Sequence, residues 1–80
     1  MNDIRVRVAR CFSNVFPDIG PDQIPTASAA SLPAWDSLAQ VRLMSSIEEE
    51  FGLLLEMEAF DELVSHQLIV AHLEKISANG

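Results

Sequence analysis

Tyrosine is absent from this chain, cysteine occurs once, and only five residues are basic. Each shortage removes a class of answer. A lone Cys11 rules out an internal disulfide framework. Five Lys and Arg against twelve Asp and Glu leave a formal net charge of −7, the wrong sign for gripping phosphate backbones, so nucleic acid is not an expected partner. No apolar run approaches the ~20 residues needed to span a membrane. The N-terminus lacks the charged-then-apolar design of a signal peptide, and a cytoplasmic protein is expected. Strand-type alternation and the Asn-Gly hairpin signal are missing too. There is no CxxC and no HExxH, and His66 and His72 are spaced too far apart to share a helix face as metal ligands at i and i+4 would.

What is present is apolar and helical in rhythm. Hydrophobic residues make up 49% of the 80, enough for a folded core rather than disorder. A chain of this size is one domain, with an expected stability of roughly 3–5 kcal/mol. Charge is uneven along it. Through Phe16, Arg5, Arg7 and Arg10 outweigh Asp3; beyond it, Arg42 and Lys75 face all the remaining acids. An acidic surface favours solubility and partners with basic patches.

The spacing predicts a first helix over about 3–16, opened by Asn2 or Asp3. Its apolar stripe is Ile4, Val8, Cys11, Phe12 and Val15, and Pro17 ends it. Cys11 fits that stripe as a small core residue rather than as a nucleophile. A long connection follows over 17–36, punctuated by Pro17, Pro21, Pro25 and Pro33, with Ile19, Ile24, Leu32 and Trp35 spaced as anchors. Asp18 and Asp22 lack the full calcium-loop pattern and its closing Glu. A second helix is expected over 37–51, stopped by Gly52 as its C′ residue. A short third helix is expected over about 58–63, with Ala59, Phe60 and Leu63 apolar. A last helix is expected over about 66–77, capped by Ser65, with a stripe of Leu68, Ile69, Leu73 and Ile76. Lys75 lies near its C-terminal end, and 78–80 fray.

The chain turns on Trp35-Asp36-Ser37-Leu38, where the connection ends and the second helix begins. Asp36 or Ser37 can accept a hydrogen bond from a first-turn amide, so either can be the N-cap. The positive end of the helix also favours an anionic group, such as a phosphate on Ser37. At 100° per residue, Gln40, Leu43, Met44, Ile47 and Phe51 share the core side, while Leu38, Val41 and Ser45 fall roughly opposite. Leu38 and Val41 read either as isolated exposed apolar residues or as a contact patch beside Ser37. Consecutive Glu48, Glu49 and Glu50 point about 100° apart and cannot converge on one metal ion. Ser37 has no Gly-x-Ser-x-Gly elbow and no sequence coupling to either His, so a hydrolase is not expected.

Asp36-Ser37-Leu38, the apolar spacing after it, Glu48-Glu49-Glu50-Phe51-Gly52, and the downstream Phe60, Leu63, Ser65, Ile69 and Leu73 resemble the acyl carrier protein family. The resemblance covers nearly the whole chain, in length and in order of elements. It implies an all-α fold: a small four-helix bundle of three main helices and one short helix, with a long loop between helices 1 and 2. It implies 4′-phosphopantetheine attached covalently to Ser37 by a phosphopantetheinyl transferase using coenzyme A and Mg²⁺. Asp36 and Leu38 would be recognised beside the modified serine. Leu38, Val41, Arg42, Glu48 and Glu49 would meet partner enzymes, among them an acyl- or aminoacyl-loading ligase or transferase. The protein would be a monomeric carrier of thioesters and not itself an enzyme. Fatty-acid carriers usually place acids where this chain has Ala39 and Arg42, which points to a specialised fatty-acid, polyketide or other secondary-metabolite pathway. The alternatives are an aminoacyl, peptidyl or D-alanyl carrier, and an unmodified helical interaction module. Peptidyl carriers usually have Gly-Gly and then His or Asp before the serine, where this chain has Ala34-Trp35-Asp36.

Overall fold

The computed structural model describes residues 3–79, with side chains for 4–76. Four α-helices form: α1 (Asp3–Val15), α2 (Ser37–Phe51), α3 (Met57–Glu62) and α4 (His66–Asn79). No strand forms among the described residues. Asn2 and Gly80, named above as a possible cap and a fraying end, lie outside the described residues.

Heptad-like spacing carries through to packing. Val8, Cys11 and Phe12 of α1 are fully buried, as are Leu43, Met44 and Ile47 of α2. They meet Ile69, Val70 and Leu73 of α4 in one core. Two expected stripes need correction. In α4 the buried side is His66, Ile69, Val70 and Leu73, while Leu68 and Ile76 are exposed. These four sit at i, i+3, i+4 and i+7, a continuous helical face that includes a histidine and so escapes a purely apolar count. In α1 the stripe ends on Phe16, which is buried just past the last helical residue, and Ile4 and Val15 are only half-buried. The last helix also continues to Asn79, leaving Lys75 short of its final turn.

The long connection is more ordered than a loop reading implies. It makes a 3-10 turn at Ile24–Thr26, and Ile24, Ala27 and Trp35 are buried. Ser28 and Ser65 form an antiparallel bridge. Around it, the Ala29 amide donates to the Val64 carbonyl (2.8 Å) and the His66 amide to the Ala27 carbonyl (3.0 Å). The connection is therefore stitched to the α3–α4 link, which satisfies backbone groups that a covered loop would otherwise leave unpaired. Ser65 also caps α4, its Oγ accepting from the Leu68 amide at 3.1 Å.

The C-terminal end of α2 is fixed by Gly52 and by arginines of α1 that periodicity does not reveal. Gly52 ends it at φ 64°, ψ 39°, a left-handed conformation that favours glycine. Arg7 Nε donates to Glu50 at 2.9 Å, a second Arg7 nitrogen donates to the Glu50 carbonyl, and Arg10 lies 3.6 Å from the same carboxylate. The Arg7 guanidinium also sits 4.2 Å from the Phe51 ring centroid. Cations at the C-terminal end of α2 complement its dipole and tie α1 to it.

Candidate functional site

Trp35 is the anchor of the junction before α2. It is 4% exposed, edge-on to Phe12 at 5.4 Å and tilted against Phe16 at 5.7 Å. Its indole N–H donates to Gln40 Oε1. The Gln40 amide then donates to the carbonyls of Phe60 and Leu63, each at 3.0 Å. One buried glutamine thereby joins the end of the connection, the first turn of α2 and the exit of α3. Nothing in local spacing announces these contacts, which span 20 and 23 residues. The available signal is a polar residue on an otherwise apolar stripe, because a buried amide needs partners.

With Trp35 fixed, the next two residues take different roles. Asp36 is the N-cap: its backbone is extended (φ −97°, ψ −171°) and its Oδ1 accepts from the Ala39 amide at 2.9 Å. Ser37 is therefore the first helical residue and not the cap. Its side chain is exposed, and its hydroxyl makes no hydrogen bond among the described residues. It stands at the positive end of the 15-residue α2.

Two depressions flank Ser37. One, of about 410 Å³, is lined by Trp35, Ser37, Val41, Phe60 and Val64. The other, of about 340 Å³, lies past Asp36 and includes Phe16, Leu32, Leu38 and Arg42. Phe60 and Val64 had no place among the candidate site residues; tertiary packing brings them there.

Leu38 is 60% exposed and Val41 49%, and with Arg42, Ser45 and Glu49 they make the outward face of α2. Arg42 and Glu49 form no ion pair among the described residues. The three glutamates divide. Glu50 is committed to α1, and Glu49 is exposed. Glu48 is half-buried and accepts from the Leu55 amide at 2.8 Å, holding the chain that leaves α2. Of the two acids expected to face a partner, Glu49 is the one whose carboxylate is unengaged.

Among the described residues no group of three His, Cys, Asp or Glu is placed to hold a metal ion, and no helix is long and apolar enough to cross a membrane. Burial pushes the Cys11 thiol above its ordinary value, with a hydrogen bond to Ser46 acting the other way. His66 is 3% exposed, edge-on to Phe12 at 5.5 Å, and its Nδ1 has no hydrogen-bond partner among the described residues. Burial, and then Arg5, hold its pKa below the ordinary value. Comparison with protein-family models, with curated proteins and with solved structures finds no match.

Proposed function

We propose that this protein is a stand-alone carrier that bears acyl intermediates as thioesters on 4′-phosphopantetheine attached to Ser37. The observation that carries this reading is the division of labour at the start of α2. Asp36 performs the capping, so Ser37 is released from it and presents an exposed hydroxyl that bonds to none of the described residues. A serine serving only as a cap would be occupied by a first-turn amide.

The surroundings fit such a group. A phosphodiester on Ser37 would sit at the positive end of α2, where first-turn amides lack intrahelical partners. The depression shared by Ser37, Val41, Phe60 and Val64 offers apolar wall beside the attachment point. The arm supplies a terminal thiol on which an acyl group is held. The chain itself positions the attachment atom, through Trp35 and Gln40 behind it and the Asp36 cap before it. Tethering raises effective concentration at a partner's active site, and no catalytic group is required of the carrier. In this reading the four helices form the small bundle typical of such carriers.

Leu38, Val41, Arg42 and Glu49 then form the docking surface, with Glu48 contributing through its hold on Leu55. Arg42 places a cation where fatty-acid carriers have an acid, which favours a specialised pathway over the housekeeping one. The exposure of Leu38 and Val41 also favours a second reading, an unmodified helical interaction module, in which Ser37 is dispensable.

Intact mass after incubation with a broad-specificity phosphopantetheinyl transferase, Mg²⁺ and coenzyme A separates the two. The carrier reading expects a gain of one phosphopantetheine on the wild type and none on Ser37→Ala. A folded wild type that gains nothing, with the source organism's own transferase as well, refutes it.

A further inference from the structure

We infer that the outward face of α2 is self-complementary and pairs with α2 of a second copy of this chain, antiparallel, about a two-fold axis between Ser45 and Ser46. A two-fold interface requires that residues on one side of its axis suit those on the other. Arg42 and Glu49 meet that requirement. They lie equally far from the axis, about 5 Å along the helix on either side, and about 20° apart around it. A two-fold axis perpendicular to paired helices reverses position along the helix and keeps the flank. Arg42 of each copy therefore faces Glu49 of the other, giving two Arg–Glu pairs. Both side chains are exposed and form no ion pair among the described residues.

The shape agrees with the charge. The N-terminal half of the face projects Leu38 and Val41. The C-terminal half holds a shallow, open depression lined by Ser45, Glu48, Glu49, Gly52, Leu53 and Leu54. The same reversal puts Val41 of one copy between Glu48 and Gly52 of the other. Gly52 has no side chain to obstruct it, and the Glu48 carboxylate is turned to the Leu55 amide. Leu38 reaches the C-terminal end of α2, beyond which Leu53 and Leu54 line the same depression and Leu54 is 89% exposed. Ser45, at the crossing, is small enough for the helices to approach.

One helix face buries less than the ~1,200 Å² of an ordinary stable interface, and a net charge of −7 on each copy opposes association. The pairing is accordingly weak, with a dissociation constant in the range of roughly 0.1–1 mM. It covers the surface assigned above to partner enzymes, so pairing and partner docking exclude each other. It does not depend on Ser37 being modified.

Sedimentation equilibrium of the unmodified chain, from about 20 µM to about 2 mM, tests the proposal. The weight-average mass of the wild type is expected to rise from 8.8 kDa toward twice that value. Arg42→Glu and Glu49→Arg each create two like-charge contacts and are expected to weaken association at least ~10-fold. The double reversal restores opposite charges and is expected to return within ~3-fold of wild type. Amide NMR shifts on dilution should cluster in 38–54. A mass that stays at one chain throughout refutes the proposal and leaves the face to a different protein. Association that survives Arg42→Glu, or a double reversal no better than the single changes, refutes it as well.

Discussion

Replacing Gln40 with Met tests the buried network behind Ser37. Met is close to Gln in volume, so the packing of α2 is preserved and the three side-chain hydrogen bonds are removed. The Trp35 indole N–H is left buried without an acceptor, at a cost of about 1–3 kcal/mol. The Phe60 and Leu63 carbonyls each lose a donor, at about 0.5–1.5 kcal/mol apiece. Burying the apolar Met side chain offsets roughly 1 kcal/mol. The expected net loss is about 1–5 kcal/mol, a large share of the stability available to a chain of this length. Urea unfolding followed by far-UV circular dichroism measures it, as a lower midpoint at unchanged slope. In a Trp35→Phe background the indole donor is already gone, so the same substitution should cost at least ~1 kcal/mol less. A loss under about 1 kcal/mol in the wild-type background, or no coupling to Trp35, would refute the claim that Gln40 holds the junction together.

Asp36→Ala should destabilise by about 1 kcal/mol through loss of the cap to Ala39, while Asp36→Asn retains most of that stability; thermal melts compare them. If Asp36 is also read by the transferase, Asp36→Asn lowers the rate of Ser37 modification without a matching drop in melting temperature. Gly52→Ala meets no neighbour yet should cost about 1 kcal/mol, because φ is positive there, and urea midpoints would show it. His66 has a folded pKa below its ordinary 6.5. Its contribution is complete above the unfolded value and is lost as pH falls from there toward the folded pKa, since the unfolded chain takes up the proton first. Stability should therefore drop as pH falls through the ordinary histidine value of about 6.5 in the wild type, and His66→Phe should flatten that part of the profile.

Helix type and number were legible because spacing is local information. Val8, Cys11 and Phe12, and likewise Leu43, Met44 and Ile47, repeat at helical intervals and are buried. Asp36-Ser37 before an apolar run marked a helix start, although only geometry distinguishes the cap from the first helical residue. What stayed hidden depends on tertiary contact. Gln40 looked like one polar member of a stripe until Trp35, Phe60 and Leu63 came within hydrogen-bonding distance. Glu48, Glu49 and Glu50 looked alike in sequence, yet Leu55 engages the first and Arg7 and Arg10 the last. His66, whose spacing from His72 does not suit a metal pair, is part of the core, and its imidazole edge packs against Phe12 much as an aromatic hydrocarbon would.

The position of Trp35 has a practical consequence. It is the chain's only tryptophan, it is buried, and its N–H is engaged at the point where the connection hands over to α2. Indole emission depends on polarity and hydrogen bonding at the ring, and with tyrosine absent no other phenol or indole contributes to it. The molecule carries a single-site optical gauge one residue before the Asp36 cap. Any event that loosens the start of α2, whether attachment at Ser37, entry of an apolar chain beside Val41, or docking of a partner, should register there without an added label.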